Sequence, residues 1–301
     1  MFDLFRILVL LLLVTGVGHG ADEFTTAFAA GDWGRAEMVA KAEEGRIQLV
    51  HLAGLKTMLG DFDGAHALYE EARGAYDIEP EISARLVVAQ AIVAFLNAQR
   101  YGTGVPTEAL NLLTRAKDIL GKEDLATKMV EAEINGYSSK AAHVTQSYMG
   151  YVHLLAACQK AGDSLRVGHC AMRLGRVDGA TGGHGGALQN FERGARIFEA
   201  LGDVRMHAWA LRNMGHAQRK LGHYDVAQDV LEKALDLARK TKTQNLEIRV
   251  LNDLSRMAME RGHHDQAVSY EKGMDTVLRA LQADIIAGRN RDSVMLDFYH
   301  L

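Results

Sequence analysis

The stretch LRNMGHAQRKLGHYDVAQDVLEKALDLARK, residues 211–240, decides how this chain folds. Leu211, Met214, Ala227, Leu231, Ala234 and Leu235 recur at three- and four-residue intervals, the spacing that gathers apolar side chains on one stripe of a helix. Gly222 interrupts the stretch, as suits a left-handed residue that closes a helix at little cost to glycine. Gly215 and Ala227 place small side chains on either side of that break. Two helices joined by a tight turn can then lie close together.

The same arrangement recurs on both sides. In MRLGRVDGATGGHGGALQNFERGARIFEALGD (172–203) and LNDLSRMAMERGHHDQAVSYEKGMDTVLRA (251–280), an offset of forty residues superposes Leu174, Met214 and Leu254, and next to them Gly175, Gly215 and Ser255. It also superposes the turn glycines Gly182, Gly222 and Gly262, and then Ala187, Ala227 and Ala267. A fixed interval marks a repeat array. Weaker copies precede it. Residues 49–76 carry Leu59-Gly60-Asp61-Phe62 followed by Ala65, Tyr69 and Ala72, and residues 28–42 look like the end of another copy around Ala36. Leu96, Ala109 and Ala116 suggest one more, with a longer turn through 101–104, while 121–168 has helical periodicity without a clear register.

The pattern L-x-x-M-G-x-x-x-x-x-L-G-H-Y-D-x-A-x-x-x-L-E-K-A-L over 211–235 resembles a tetratricopeptide repeat. It departs from the family in Gln218, where an aromatic is usual, and in Arg239, where a proline often closes the unit. Its interval exceeds the ~34 residues usual in the family and is similar to longer-helix variants. The resemblance implies an all-α fold, a right-handed superhelical solenoid of antiparallel helix pairs. On that reading 21–168 holds degenerate repeats, 169–280 three clearer ones, and 281–301 a capping helix or tail. Only two prolines, Pro80 and Pro106, interrupt a chain rich in helix formers.

The resemblance also implies a scaffold that binds proteins or peptides and catalyses nothing. In such a solenoid the first helix of each pair lines the concave wall, which nominates Arg176, Trp209, Arg212, Asn213, His216, Arg219, Arg249, Asn252 and Arg256. The same register places His169, Met172, Lys220 and Met259 on that wall. Arg176, His216 and Arg256 are equivalent in the repeat, so a basic wall is expected, fit for acidic side chains or a free C-terminal carboxylate, which arginine grips through paired hydrogen bonds. Asn213 resembles the family asparagine that contacts a bound peptide's backbone. The competing reading is a solvated helix face whose arginines pair with local Asp and Glu. The alternative function is the sensory or regulatory half of a larger or multi-protein signalling system.

Residues 1–20 place Arg6 before the eleven apolar-rich residues ILVLLLLVTGV (7–17) and the small-residue exit Gly18-His19-Gly20, the layout of an export signal. Cleavage after Gly20 is expected, with a secreted or periplasmic product. Eleven residues fall short of the ~20 that span a bilayer, so no stable membrane span is expected after cleavage, although retention as an anchor stays open.

A net charge of −4 from 34 basic and 38 acidic residues offers no field for a polyanion, and nucleic acid is not an expected partner. The 13 histidines lack the one-face spacing with a carboxylate that a helical zinc site needs, so no metal or cofactor is expected. GATGGHGG (179–186) lacks the Lys-Ser/Thr ending of a phosphate loop and reads as a turn. Cys158 and Cys170 leave two readings open, a disulfide across a hairpin near Gly162-Asp163 or two buried small apolar side chains.

Overall fold

The structure is a computed structural model that describes residues 23–24, 27, 33–58, 60–74, 80–100, 107–121, 125–136 and 141–286. The expected export signal and the 101–104 turn lie outside them. Among the described residues there are thirteen helices of four residues or more and no strand: α1 (Trp33–Ala42), α2 (Gly45–Met58), α3 (Phe62–Gly74), α4 (Pro80–Arg100), α5 (Thr107–Leu120), α6 (Leu125–Gly136), α7 (Ala141–Lys160), α8 (Ser164–Ala180), α9 (His184–Ala200), α10 (Val204–Lys220), α11 (Tyr224–Lys240), α12 (Gln244–Glu260) and α13 (His264–Ile286). The chain forms two compact units that divide within α7, one ending at Gly150 and the other beginning at Tyr151.

The N-terminal unit is built on small residues at helix crossings. Ala36 and Ala40 of α1, Ala53 of α2, Ala65, Tyr69 and Ala72 of α3 and Leu86, Ala89 and Val93 of α4 share one buried cluster. Gly60 turns the chain from α2 to α3 at φ 77°, and the Asp61 carboxylate accepts the Gly64 backbone N–H at 3.0 Å, capping α3. Ala109 and Ala116 of α5 are wholly buried, as the sequence leads one to expect. Near the end of this unit a Cβ on Gly150 would lie 3.0 Å from that of Ala132, and Ser147 donates to the Ala132 carbonyl at 2.7 Å. Helix α4 has a 19-residue stretch, Pro80–Ala98, long and apolar enough to cross a membrane. More than half of it is buried inside the protein, as in a core helix.

His51 belongs to this core. Its ring stacks on Phe24 at 3.7 Å between centroids, and its Nδ1 is 2.6 Å from Glu43 Oε2. Burial pushes the imidazole below its ordinary value, and the opposing pull of Glu43 does not restore it.

The C-terminal unit is regular. Its helices from α8 onward begin at Ser164, His184, Val204, Tyr224, Gln244 and His264, so each helix and its turn together take twenty residues. Every turn closes alike. Asp163, Gly183, Asp203, His223, Thr243 and His263 each donate a backbone N–H to the carbonyl five residues earlier, at 2.8 to 3.0 Å, the six-to-one bond of a Schellman ending. The residue before each donor has positive φ, and it is glycine in five turns but Lys242, at φ 53°, in the fifth of the six. There Thr241 and Thr243 join hydroxyls at 2.8 Å across the lysine.

Close helix approach follows from the small residues inside the helices. A Cβ on Gly215 would stand 2.5 Å from Leu231 Cγ and 3.3 Å from the Ala227 carbonyl oxygen. The absent side chain is therefore filled by Leu231, which is fully buried with Ala227, Ala234 and Leu254 in one cluster. Truncating a leucine in such a place costs about 2–5 kcal/mol. The first regular helix starts at Ser164, earlier than the expected boundary at 169. Beyond residue 280, α13 continues without a break to Ile286, and the rest of the expected tail lies outside the described residues.

Candidate functional site

The first helices of the three regular pairs are α8, α10 and α12, and the nominated side chains fall into two groups. Asn252 and Arg256 of α12 are exposed, as are Lys220 at the end of α10 and Arg176 near the end of α8. Arg256 makes no ion pair among the described residues. Met259 is 51% exposed. Asn213 and His216 are half-buried. Trp209 is also half-buried, with its indole N–H shut off from solvent and given to no acceptor among the described residues, and Arg249 of α12 sits over its ring at 6.0 Å, within cation–π reach.

The second group is engaged within the chain. Arg212 of α10 donates Nε to Asp253 Oδ2 of α12 at 2.6 Å, and its Nη1 to Asn213 Oδ1 at 3.2 Å. His216 Nδ1 reaches the other oxygen of Asp253 at 3.3 Å, and an ionised carboxylate can only accept, so that nitrogen carries the proton. Burial alone would raise the Asp253 carboxyl, which is 1% exposed, but the His216 hydrogen bond and the Arg212 charge outweigh it and hold the group below its ordinary value. One heptad further on, Arg219 pairs with Glu260 of α12. Arg212 and Arg219 lie on one flank of α10, and Asp253 and Glu260 on the facing flank of α12, so the pairs form two rungs.

Three expectations are corrected here. Arg219 is 4% exposed and does not line an open wall, because its flank is covered by α12. His169 and Met172 are 7% and 6% exposed. The Met172 Sδ occupies the space a Cβ on Gly194 would fill, at 2.9 Å, and the His169 ring meets Phe198 edge-on at 5.2 Å. The repeat register puts these positions on the outer stripe, but Gly194 in the neighbouring helix opens a pocket that takes Met172, and His169 packs on Phe198. The basic wall is thereby reduced: Arg212 and Arg219 are matched by carboxylates, and Lys220 and Arg256 are its exposed cations. Asp253, which carries no signal within its own repeat, lies buried beneath this surface and joins Arg212 and His216. Its signal was that Asp253 and Glu260 follow Arg212 and Arg219 by forty-one residues, one repeat plus one.

GATGGHGG forms the turn between α8 and α9, with Gly182 at φ 86° and Gly183 as the cap of α9. Cys158 and Cys170 are both buried thiols and are not joined. No cluster of three or more His, Cys, Asp or Glu side chains converges among the described residues.

Antiparallel helix pairs stacked at a constant interval, with polar side chains left on their first helices, define the class of helical repeat solenoids. Residues 206–272 match the tetratricopeptide repeat family, and this part of the chain carries tetratricopeptide repeats. Among solved structures, the chain is similar to a signal transduction ATPase with numerous domains (STAND) that has a tetratricopeptide repeat sensor, from Pyrococcus horikoshii. The TM-score is 0.69 at 14% identity over 92% of this chain. The chain spans 45% of that protein's length. It is also similar to the apo form of RapI, with a TM-score of 0.63, 14% identity, and coverage of 85% of this chain and 74% of the other. A Rap protein complexed with competence and sporulation factor gives a TM-score of 0.53 at 14% identity, covering 85% and 81%. At these identities the likeness is one of fold. No curated protein matches the sequence.

Proposed function

We propose that the chain is a non-catalytic scaffold that binds a protein or peptide along the first helices α8, α10 and α12. The observation that carries this reading is the polar surface left over once packing is complete. Asn213, Asn252 and Arg256 are half or fully accessible, and Arg249 and Trp209 meet beside them. Amide side chains can pair with a ligand's backbone, and Arg256 can hold an acidic side chain or a terminal carboxylate. That one similar Rap protein is held with competence and sporulation factor is in keeping with such a role. The export signal read in residues 1–20 supports work outside the cytoplasm.

The reading is tested with a peptide array in which each acidic sequence appears with a free and an amidated C-terminus, probed with the full chain. Arg256→Glu should weaken retained peptides at least about tenfold, as loss of a charge-assisted hydrogen bond predicts, with the helical circular dichroism unchanged. Equal binding by wild type and variant would overturn the assignment. Arg256 is a cleaner choice than Arg212, whose replacement would strand the buried Asp253.

A sensory half of a larger or multi-protein system is the second reading, favoured by the STAND protein, of whose length this chain spans 45%. An ATPase or other output protein whose turnover changes when the full chain is added would support it; no response from any output protein encoded beside it would count against it.

A further inference from the structure

The hairpin formed by the end of α7 and the start of α8 repeats the register of the later hairpins, and that register brings Cys158 and Cys170 together. Cys158 stands four residues before the turn glycine Gly162, and Cys170 eight after it. Around Gly182 the same two places hold Asp178 and Asn190, whose side chains hydrogen-bond at 2.8 Å. Around Gly202 they hold Phe198 and Ala210, both fully buried in one cluster, and around Lys242 Ala238 and Val250, again both fully buried in one cluster. In these three hairpins the two positions either hydrogen-bond directly or share one buried layer. In the first hairpin they are occupied by two thiols, and the Cys158 side chain hydrogen-bonds Cys170. The turn itself is held by the Asp163 N–H on the Cys158 carbonyl at 3.0 Å and by the Asp163 carboxylate on Arg166 N at 3.0 Å.

We propose that Cys158 and Cys170 are a thiol–disulfide exchange site that closes an intramolecular bridge across the α7–α8 hairpin. The oxidant it takes is a small or protein disulfide. The thiolate of one cysteine attacks that disulfide, forms a mixed disulfide and releases one thiol; the second cysteine then attacks the protein sulfur, forms the Cys158–Cys170 bond and releases the other thiol. Two electrons and two protons pass from the protein to the oxidant. Both cysteines are wholly buried in the folded hairpin, so exchange proceeds while α7 and α8 are apart, during folding or local opening. Burial and the Asp163 charge push the Cys158 thiol up, which further slows attack on the closed hairpin. Once made, the bond ties α7 to α8 across a short loop and restrains the unfolded chain.

The test refolds the full chain from urea in a buffer of oxidised and reduced glutathione, followed by alkylation under denaturing conditions and intact mass measurement. The wild type should be monomeric, lighter than the reduced chain by the mass of two hydrogens, and closed to alkylation. Reductant should lower its Tm by roughly 5 °C. Cys158→Ser and Cys170→Ser should each keep one reactive thiol or carry one glutathione, with no reductant-dependent Tm. As a check on register that does not depend on the native pair, Asp178→Cys with Asn190→Cys in a chain lacking both native cysteines should also bridge. Two alkylatable thiols in the refolded wild type, or a bond found only between molecules, would overturn the proposal, and would do so most sharply if the transplanted pair did close.

Discussion

From α8 to α12 every helix has seventeen residues, whereas α1 to α6 run from ten to twenty-one. Both units rest on alanines at helix crossings, so composition does not separate them. They differ in what fixes the turns. In the C-terminal unit one six-to-one bond and one positive φ recur, and each hairpin hands its register to the next. In the N-terminal unit Gly45, Gly60 and Gly121 also turn with positive φ, but the helices between them differ in length, so each crossing finds its own partners. A constant interval is thus a property of turns as much as of cores.

The sharpest way to break this comparison is to fill a tight crossing and a loose one. Gly215→Ala forces a methyl against Leu231 Cγ and the Ala227 carbonyl oxygen, and should cost about 1–3 kcal/mol in urea denaturation despite the better helix former. At Gly273 the same methyl would meet Leu251 methyls at 3.7 Å, an ordinary contact. Gly273→Ala should therefore stabilise, by up to ~1 kcal/mol. Equal signs for the two would show that close approach does not set the interval. Next in size, Lys242→Gly restores the residue the other five turns use and should raise stability by about 0.5–1 kcal/mol, read as a higher urea midpoint at unchanged slope.

Acid should give the smallest effect and separate the two units. His51 is held below its ordinary 6.5, so the unfolded chain takes the proton first. Its contribution is full above that value and is lost as pH falls from there toward the folded value. Asp253 is held below 3.8, so its contribution to the C-terminal unit persists until pH falls below that value and is lost as it drops through the folded one. Hydrogen exchange corrected for intrinsic rates should therefore show α2 and α3 loosening as pH falls below 6.5, while α10 and α12 keep the Asp253 contribution until pH falls below 3.8. His51→Gln should abolish the mild-acid step; a step that survives it belongs to another group.

Much of this could be read from the sequence where one residue type serves one purpose. Gly182, Gly222 and Gly262 are needed at positive φ, so their spacing revealed the hairpins. Lys242 adopts the same angle without being glycine, and its turn left no such mark. Exposure was harder to read, because it depends on the helix opposite. Met172 lies inward only because Gly194 makes room, and Arg219 only because Glu260 waits on α12. Asp253 escaped notice because a carboxylate that accepts from an arginine and a histidine on another helix has no local pattern of its own.

The two rungs from α10 to α12 have a mechanical consequence. Each connects residues forty-one apart in sequence, so tension applied along the backbone loads them side by side before either hairpin can unwind. The second and third pairs would then resist stretching as one stiff length until both rungs give, and Asp253→Asn, which weakens one rung and leaves Arg219–Glu260, would lower the force at which they do.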